Sequence, residues 1–240
     1  MAIPKQVAIF ERYQNSTVRE DNAEQSADLP GIHGEKQQQS KKWRSFLCIG
    51  SSPDCLDEPE TEAETFLKYN DTILLHDYHV PYKANFGERP SGGVVLLISN
   101  SLLSCPLILN TSLQDVATRI HTHSPITVFC LYLPPNTYID QSNLNLMSQL
   151  PEPFIILGDF NGHNHLWGNN STNCRGRQLE QVLDDHNFCL FNDDEQTYFR
   201  SPTKCFHVLG IAICSPPLYP FFILQMDKDL HNSDHFPLVL

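Results

Sequence analysis

Four short stretches carry side chains able to act on a phosphate ester. "GDFN" holds Asp159 and Asn161, "LYLPPN" holds Tyr132 and Asn136, "SDHFP" holds Asp234 and His235, and "AETFLK" holds Glu64. Carboxylates suit a hard divalent cation, because Mg²⁺ prefers oxygen ligands and keeps several of its waters. A histidine beside them can serve as acid, base or phosphate-polarising group. Asn and Tyr donate hydrogen bonds to phosphate oxygens without adding charge. Together these types make a kit for metal-assisted hydrolysis of a phosphodiester. Each also has a plainer reading. Asp-Phe-Asn-Gly has the composition of a turn, Glu64 closes an acidic run, Tyr132 fits a core aromatic, and His235 fits a buried structural histidine.

The elements that must position these groups are legible as apolar runs. Phe154, Ile155, Ile156 and Leu157 form a short run bounded by Pro151 and Pro153 before it and Gly158 after it, which reads as an interior strand. Asp159 and Asn161 then fall at the strand end, where loops carry polar groups without burying them in the core. Further candidate strands are "TILLHDYHV", "GGVVLLIS", "TRIHTHSPITVFCLYL", "NFCLFN", "FHVLGIAIC" and "FPLVL". Helical spacing is sparser and is best at 138–150 and 176–187, where Leu179, Val182 and Leu183 line one face. The sum is a mixed α/β domain with mainly antiparallel strands.

Composition narrows the partners. With 240 residues, 40% of them hydrophobic and 14 of them Phe, the chain can build a real core. A net charge of −12 disfavours simple electrostatic adhesion to nucleic acid, so any such role must be local or assisted by a metal. No apolar run approaches the roughly 18 residues of a membrane span, and the start has no long apolar signal core. An intracellular protein, nuclear or cytoplasmic, is expected. The eight cysteines include no Cys-x-x-Cys and read as reduced thiols, mostly buried. Residues 1–63 are polar, then acidic, with little periodicity; they read as a low-complexity, mostly disordered leader ahead of a domain at 64–240. "RSFLCIG" within the leader is a candidate for one short strand.

Taken in order, "ERPSGGVVLLISNSLL", "TVFCLYLPPN", "GDFNGHNHLWG", "NCRGRQLEQVLDDHNFCLFND" and "DLHNSDHFPLVL" resemble the endonuclease domain of jockey-like non-LTR retrotransposons. That domain belongs to the endonuclease/exonuclease/phosphatase superfamily, and the resemblance covers about residues 64–240. It implies a four-layer α/β sandwich, two mixed β-sheets flanked by helices, here lacking the family's first edge strand. It also implies a Mg²⁺-dependent DNA endonuclease, with Mn²⁺ as a possible substitute, and an associated reverse transcriptase domain. By position, Asp159 would orient or deprotonate the attacking water, Asn161 hold the phosphate, and Tyr132 and Asn136 stand near the scissile phosphate. Glu64 and Asp234 would bind the metal, and His235 would act on the phosphate. His163 is expected at the substrate edge or in a structural role. Arg175 and Arg177 would touch a DNA backbone, or else form a surface pair at a helix start. His121 and His123 alternate on one strand face, with solvent exposure expected.

The chain departs from the family pattern in three places. Ala63 stands for the glutamine before Glu64, no first-strand motif is found in residues 1–63, and Gly210 with His207 replaces the aspartate and serine of Ser-x-Ile-Asp. Without that carboxylate, His235 is expected to be loosely held. Two rival functions follow: a phosphatase of the same superfamily acting on a small phosphorylated ligand, and a non-catalytic remnant.

Overall fold

The computed structural model describes residues 78–79, 92–121, 123–135, 137–192, 194–230 and 234–240, and the backbone of 6–9, 47–50 and 82–83. Glu64, Asn136 and most of the leader lie outside the described residues. In chain order the strands are β1 (Gln6–Ile9), β2 (Leu47–Gly50), β3 (Tyr78–His79), β4 (Tyr82–Lys83), β5 (Val94–Val95), β6 (Leu97–Ser99), β7 (Leu103–Leu107) and β8 (Gln114–His121). They continue with β9 (Ile126–Tyr132), β10 (Phe154–Asp159), β11 (Cys189–Leu190), β12 (Tyr198–Arg200), β13 (Cys205–His207), β14 (Gly210–Cys214), β15 (Gln225–Met226) and β16 (Leu238–Val239).

The apolar runs pair into two mixed sheets. The first has the order β11-β14-β10-β9-β8-β7, with β10 parallel to β9 and the other pairs antiparallel. Its central strand β10 is buried from Phe154 to Leu157, as a continuous hydrophobic run requires. The second has the order β15-β16-β2-β1-β6-β3, with β16 parallel to β2. Two of its strands come from the stretch read as a leader. The "RSFLCIG" candidate forms β2, and Gln6–Ile9, which carried no motif, pairs with β2 on one side and β6 on the other.

The helices pack on the outer face of the first sheet. α2 (Cys174–His186) is capped at its start by Asn173, whose Oδ1 accepts from Gly176 N at 2.7 Å, and ends on Asn187 in the left-handed region at φ 52°. Its Leu179, Val182 and Leu183 are buried as the spacing implied, in a core with Phe129, Leu131, Phe154, Ile156 and Ile213. The helix read at 138–150 is shorter. α1 runs from Gln141 to Asn145 and tightens to a 3₁₀ turn over Leu146–Gln149. Ser and Asn compete with the helical backbone for hydrogen bonds, so this segment coils only far enough to bury Leu144 and Met147.

A second core fills the space between the sheets, where Val128, Cys130, Ile155, Leu157 and Ala212 of one face Ile98 and Leu238 of the other, joined by Leu96 and by Val94 of β5, which pairs with β4 in a separate two-stranded sheet. The architecture is thus the α/β sandwich expected from the sequence. Among the described residues no helix is long and apolar enough to cross a membrane. The described cysteines are free, but Cys105, Cys174 and Cys205 are exposed rather than buried. Cys105 sits on the edge strand β7 and Cys205 on the exposed β12–β13 hairpin, so neither faces a core.

Candidate active site

Register builds the site. On the face of the first sheet turned toward the second, the ladder sets Gln114 of β8 opposite Tyr132 of β9, Tyr132 beside Asp159 of β10, and Asp159 opposite Gly210 of β14. Directly paired residues share a face, so this row closes one end of the inter-sheet core with polar groups. Gly158 allows it, because a Cβ there would collide with the Leu131 carbonyl on β9.

The Asp-Phe-Asn turn and the site are the same object. Asn161 stands at φ 49°, in the left-handed region Asn tolerates. Its backbone N–H donates to Asp159 Oδ1 at 3.1 Å, and its Nδ2 donates to Leu133 O at 3.1 Å. One Asp159 oxygen therefore closes the turn. The other, Oδ2, lies 3.9 Å from His235 Nε2, and Asp234 Oδ1 lies 3.9 Å from the same nitrogen. At that distance the groups face one another without a direct hydrogen bond. Burial pushes the Asp159 carboxyl up to about 7, with Asp234 adding to the rise and the Asn161 hydrogen bonds and Arg175 opposing it.

His235 is not loosely held, contrary to expectation. It is 4% exposed, and its backbone bridges Tyr198. On either side, Phe199 N donates to Asp234 O at 2.7 Å and Phe236 N donates to Thr197 O at 3.0 Å. The Tyr198 ring lies 4.7 Å from the imidazole, His207 stacks on Tyr198 at 6.3 Å, and His163 meets His207 edge-on at 5.0 Å. The two residues that break the family's Ser-x-Ile-Asp pattern are thus both placed. Gly210 N and Leu209 N donate to Thr197 Oγ1 at 2.9 Å, and His207 ends the row of rings.

Arg175 is turned inward, away from any DNA backbone. It is 8% exposed and donates to Leu133 O at 3.1 Å, Phe160 O at 3.3 Å and Thr137 O at 2.6 Å. A buried guanidinium needs acceptors for its five donors, and the turns after β9 and β10 supply them. Burial lowers its proton affinity, while Asp159 and Tyr132 raise it. Arg177 is exposed and, among the described residues, its side chain donates to Thr172 O at 3.3 Å. Of the expected surface pair, Arg177 alone qualifies.

His163 is half-buried and set by α2. Asn173 Oδ1 accepts its N–H at 3.1 Å, and Gly176 leaves room for its carbonyl, where any Cβ would collide. Burial, then the charge of His207, lowers its proton affinity. The rest of the "GHNHLWG" loop is tied down by Trp167 Nε1 to Gly162 O, Asn164 Nδ2 to Glu180 Oε2, and Asn169 Nδ2 to Val208 O, all under 3.0 Å. His121 and His123 are exposed as expected, but they do not share a strand face: β8 ends at His121 and His123 lies in the turn before β9. Among the described residues no three His, Cys, Asp or Glu side chains cluster as a metal cage.

Sequence reading missed Tyr198, Thr197 and the inward role of Arg175. The "TYF" run next to a polar stretch gave no sign that it would bridge His235. Only the alternation of "TYFR" with "KCFH" hinted at a hairpin.

Residues 126–239 match the family model described as endonuclease-reverse transcriptase. The chain is 32% identical over 193 residues to a probable RNA-directed DNA polymerase from transposon X-element, and 26% identical over 192 residues to the RNA-directed DNA polymerase from mobile element jockey, both of Drosophila melanogaster. Each match covers 74% of this chain and 20% of the relative, so the chain spans about a fifth of the length of these curated relatives. In fold it is similar to the endonuclease domain of TRAS1, a telomere-specific non-LTR retrotransposon, with a TM-score of 0.60 and 21% identity over 67% of this chain and 78% of that one.

Proposed function

The chain belongs to the endonuclease/exonuclease/phosphatase superfamily as a retrotransposon-type endonuclease domain, and from that premise we propose that it hydrolyses DNA phosphodiesters with the help of a divalent cation. One observation carries the reading. Asp159, Asp234 and His235 converge at a strand end, and the Asp159 carboxyl is poised to exchange a proton near neutrality.

In this reading Asp159 takes a proton from the attacking water, whose oxygen bonds to phosphorus as one ester P–O bond breaks. His235 and Tyr132 hold the phosphate oxygens, with Asn136 as a further donor. Asn161 fixes Asp159 through its backbone N–H, and its amide, which carries two donors, gives one to Leu133 O and the other to the phosphate. His163 lies at the substrate edge and Arg177 is free to meet a phosphate. Arg175 is a positioning residue.

Nucleases of this superfamily generally depend on a divalent metal. The donor chemistry here fits one, because Asp159 and Asp234 crowd negative charge that a hard cation relieves. We assign Mg²⁺, with Mn²⁺ as a substitute, to Asp234 and Glu64. When bound it supplies Lewis-acid stabilisation of charge on the phosphate. Exposed Arg200 and Lys204, at the turn end of the β12–β13 hairpin whose Tyr198 meets His235, give local positive charge in an otherwise acidic chain. A reverse transcriptase domain is proposed as the functional partner, since the relatives are RNA-directed DNA polymerases.

The test is nicking of supercoiled DNA with Mg²⁺ against chelator, beside phosphate release from an inositol polyphosphate. Metal-dependent nicking supports the reading. Phosphate release without nicking would replace it with the phosphatase.

A further inference from the structure

Of the row Gln114, Tyr132, Asp159 and Gly210, only Gln114 has no part in the site as described so far. Its Oε1 accepts the Gly93 N–H at 2.5 Å. Gly92 and Gly93 stand at φ +67° and +100°, a turn that suits glycine alone. Both are buried, so the Gly93 N–H needs an internal acceptor. A Cβ on Gly92 would lie 2.8 Å from Tyr132 Cε1 and would also collide with the Gln114 amide. The side-chain amide of Gln114, the Gly92 backbone and the edge of the Tyr132 ring therefore press on a single point.

We propose that Gln114 is a positioning residue for Tyr132: its carbonyl pins the Gly92–Gly93 turn against the ring and so fixes where the phenol meets the phosphate. This rests on the hydrolase reading for what Tyr132 does, but not for how it is held. The acceptor must be an oxygen at that reach. An apolar side chain of equal length leaves the Gly93 N–H without one and frees the turn. The ring then loses the wall that the Gly92 backbone forms at its Cε1 edge.

The experiment reads position without turnover. The full chain is labelled with 3-fluorotyrosine, the Tyr132 fluorine line is assigned with Tyr132→Phe, and Gly93 amide exchange is measured. Gln114→Met is expected to shift and broaden the Tyr132 line and to speed Gly93 exchange at least about tenfold. Gln114→Glu, which keeps an oxygen acceptor, is expected to restore both. Where nicking is measurable, kcat in Gln114→Met falls by about tenfold or more with KM changed less, since small misplacements near reacting groups are felt in kcat. An unchanged Tyr132 line and unchanged Gly93 exchange in a folded Gln114→Met overturn the proposal. Should that variant fail to fold, Gly92→Ala in the Gln114 background must shift the same line, and no shift overturns it equally. A chain that never nicks DNA counts against the hydrolase reading and leaves the fluorine and exchange results to decide on Gln114.

Discussion

The ring of Tyr198 lies 4.7 Å from that of His235, tilted by 57°, while the backbones of the two residues meet in an isolated bridge. This contact replaces, by packing, part of what an aspartate at position 210 would do by hydrogen bonding. Tyr198→Ala is expected to leave the bridge and remove the wall, lowering nicking by about tenfold or more, the range for loss of a supporting group. Imidazole NMR of His235 should show the ring newly mobile. A rigid His235 with full activity would show that the bridge alone suffices.

Asp159 should make the domain less stable as pH rises. Its folded carboxyl stands at about 7 against an ordinary 3.8, so the folded state holds the proton more tightly than the unfolded chain between those values. Stability is therefore lost as pH rises from about 4 to about 7. In chelator at pH 8, Asp159→Asn is expected to be more stable than the native chain by on the order of 2–4 kcal/mol, and equal to it below about pH 4. Urea unfolding across that range checks this. A constant difference at every pH would mean that the shift is absent.

Arg175 and Arg177 should separate cleanly. Hydrogen bonds to a charged group contribute about 1.5–3 kcal/mol each, and Arg175 makes three to backbone carbonyls, those to Leu133 and Phe160 buried. Arg175→Met is expected to lose about 3 kcal/mol or more in urea unfolding. Arg177→Met should stay within about 0.5 kcal/mol and instead weaken DNA binding, with a smaller salt slope. The reverse assignment of effects would return Arg175 to the DNA face.

Restoring the family's aspartate should not simply restore function. A Cβ at Gly210 lies 3.3 Å from Leu238 Cδ1 and 3.4 Å from Thr197 Oγ1, and its carboxylate would join Asp159 on the adjacent strand. Gly210→Asp is expected to destabilise the metal-free domain by about 1–3 kcal/mol at neutral pH, with part of the loss recovered in Mg²⁺. Thermal unfolding with and without the ion measures it, and an unchanged midpoint in chelator would refute the crowding.

The strands and the place of Asp159 at a strand end were legible because they rest on local signals. The run Phe154–Leu157 is long enough to be a strand by itself, and the polar residues after it fall at the strand end, where loops carry polar groups. α2 was legible for the same reason, through Leu179, Val182 and Leu183. What escaped was set by distant pairing. Gln6–Ile9 has only three apolar residues after a glutamine and becomes a strand because β2 and β6 flank it. Arg175 looked like a surface cation, since nothing in "NCRGRQ" reveals that three carbonyls wait behind it. Tyr198 was invisible as a support for His235 because 37 residues separate them in the chain. The hairpin of β8 and β9 did hold a readable signal, for counting equally back from its turn pairs Tyr132 with Gln114.

Single-turnover nicking of supercoiled DNA in Mg²⁺ by the native chain, Asp159→Ala, His235→Ala and the double variant bears most directly on the site. The native chain is expected to nick, each single variant to lose most of that activity, and the double variant to fall little below either, because groups acting as one unit are not additive. Full activity in either single variant, or losses that multiply in the double, would contradict a site in which Asp159 and His235 serve one transition state.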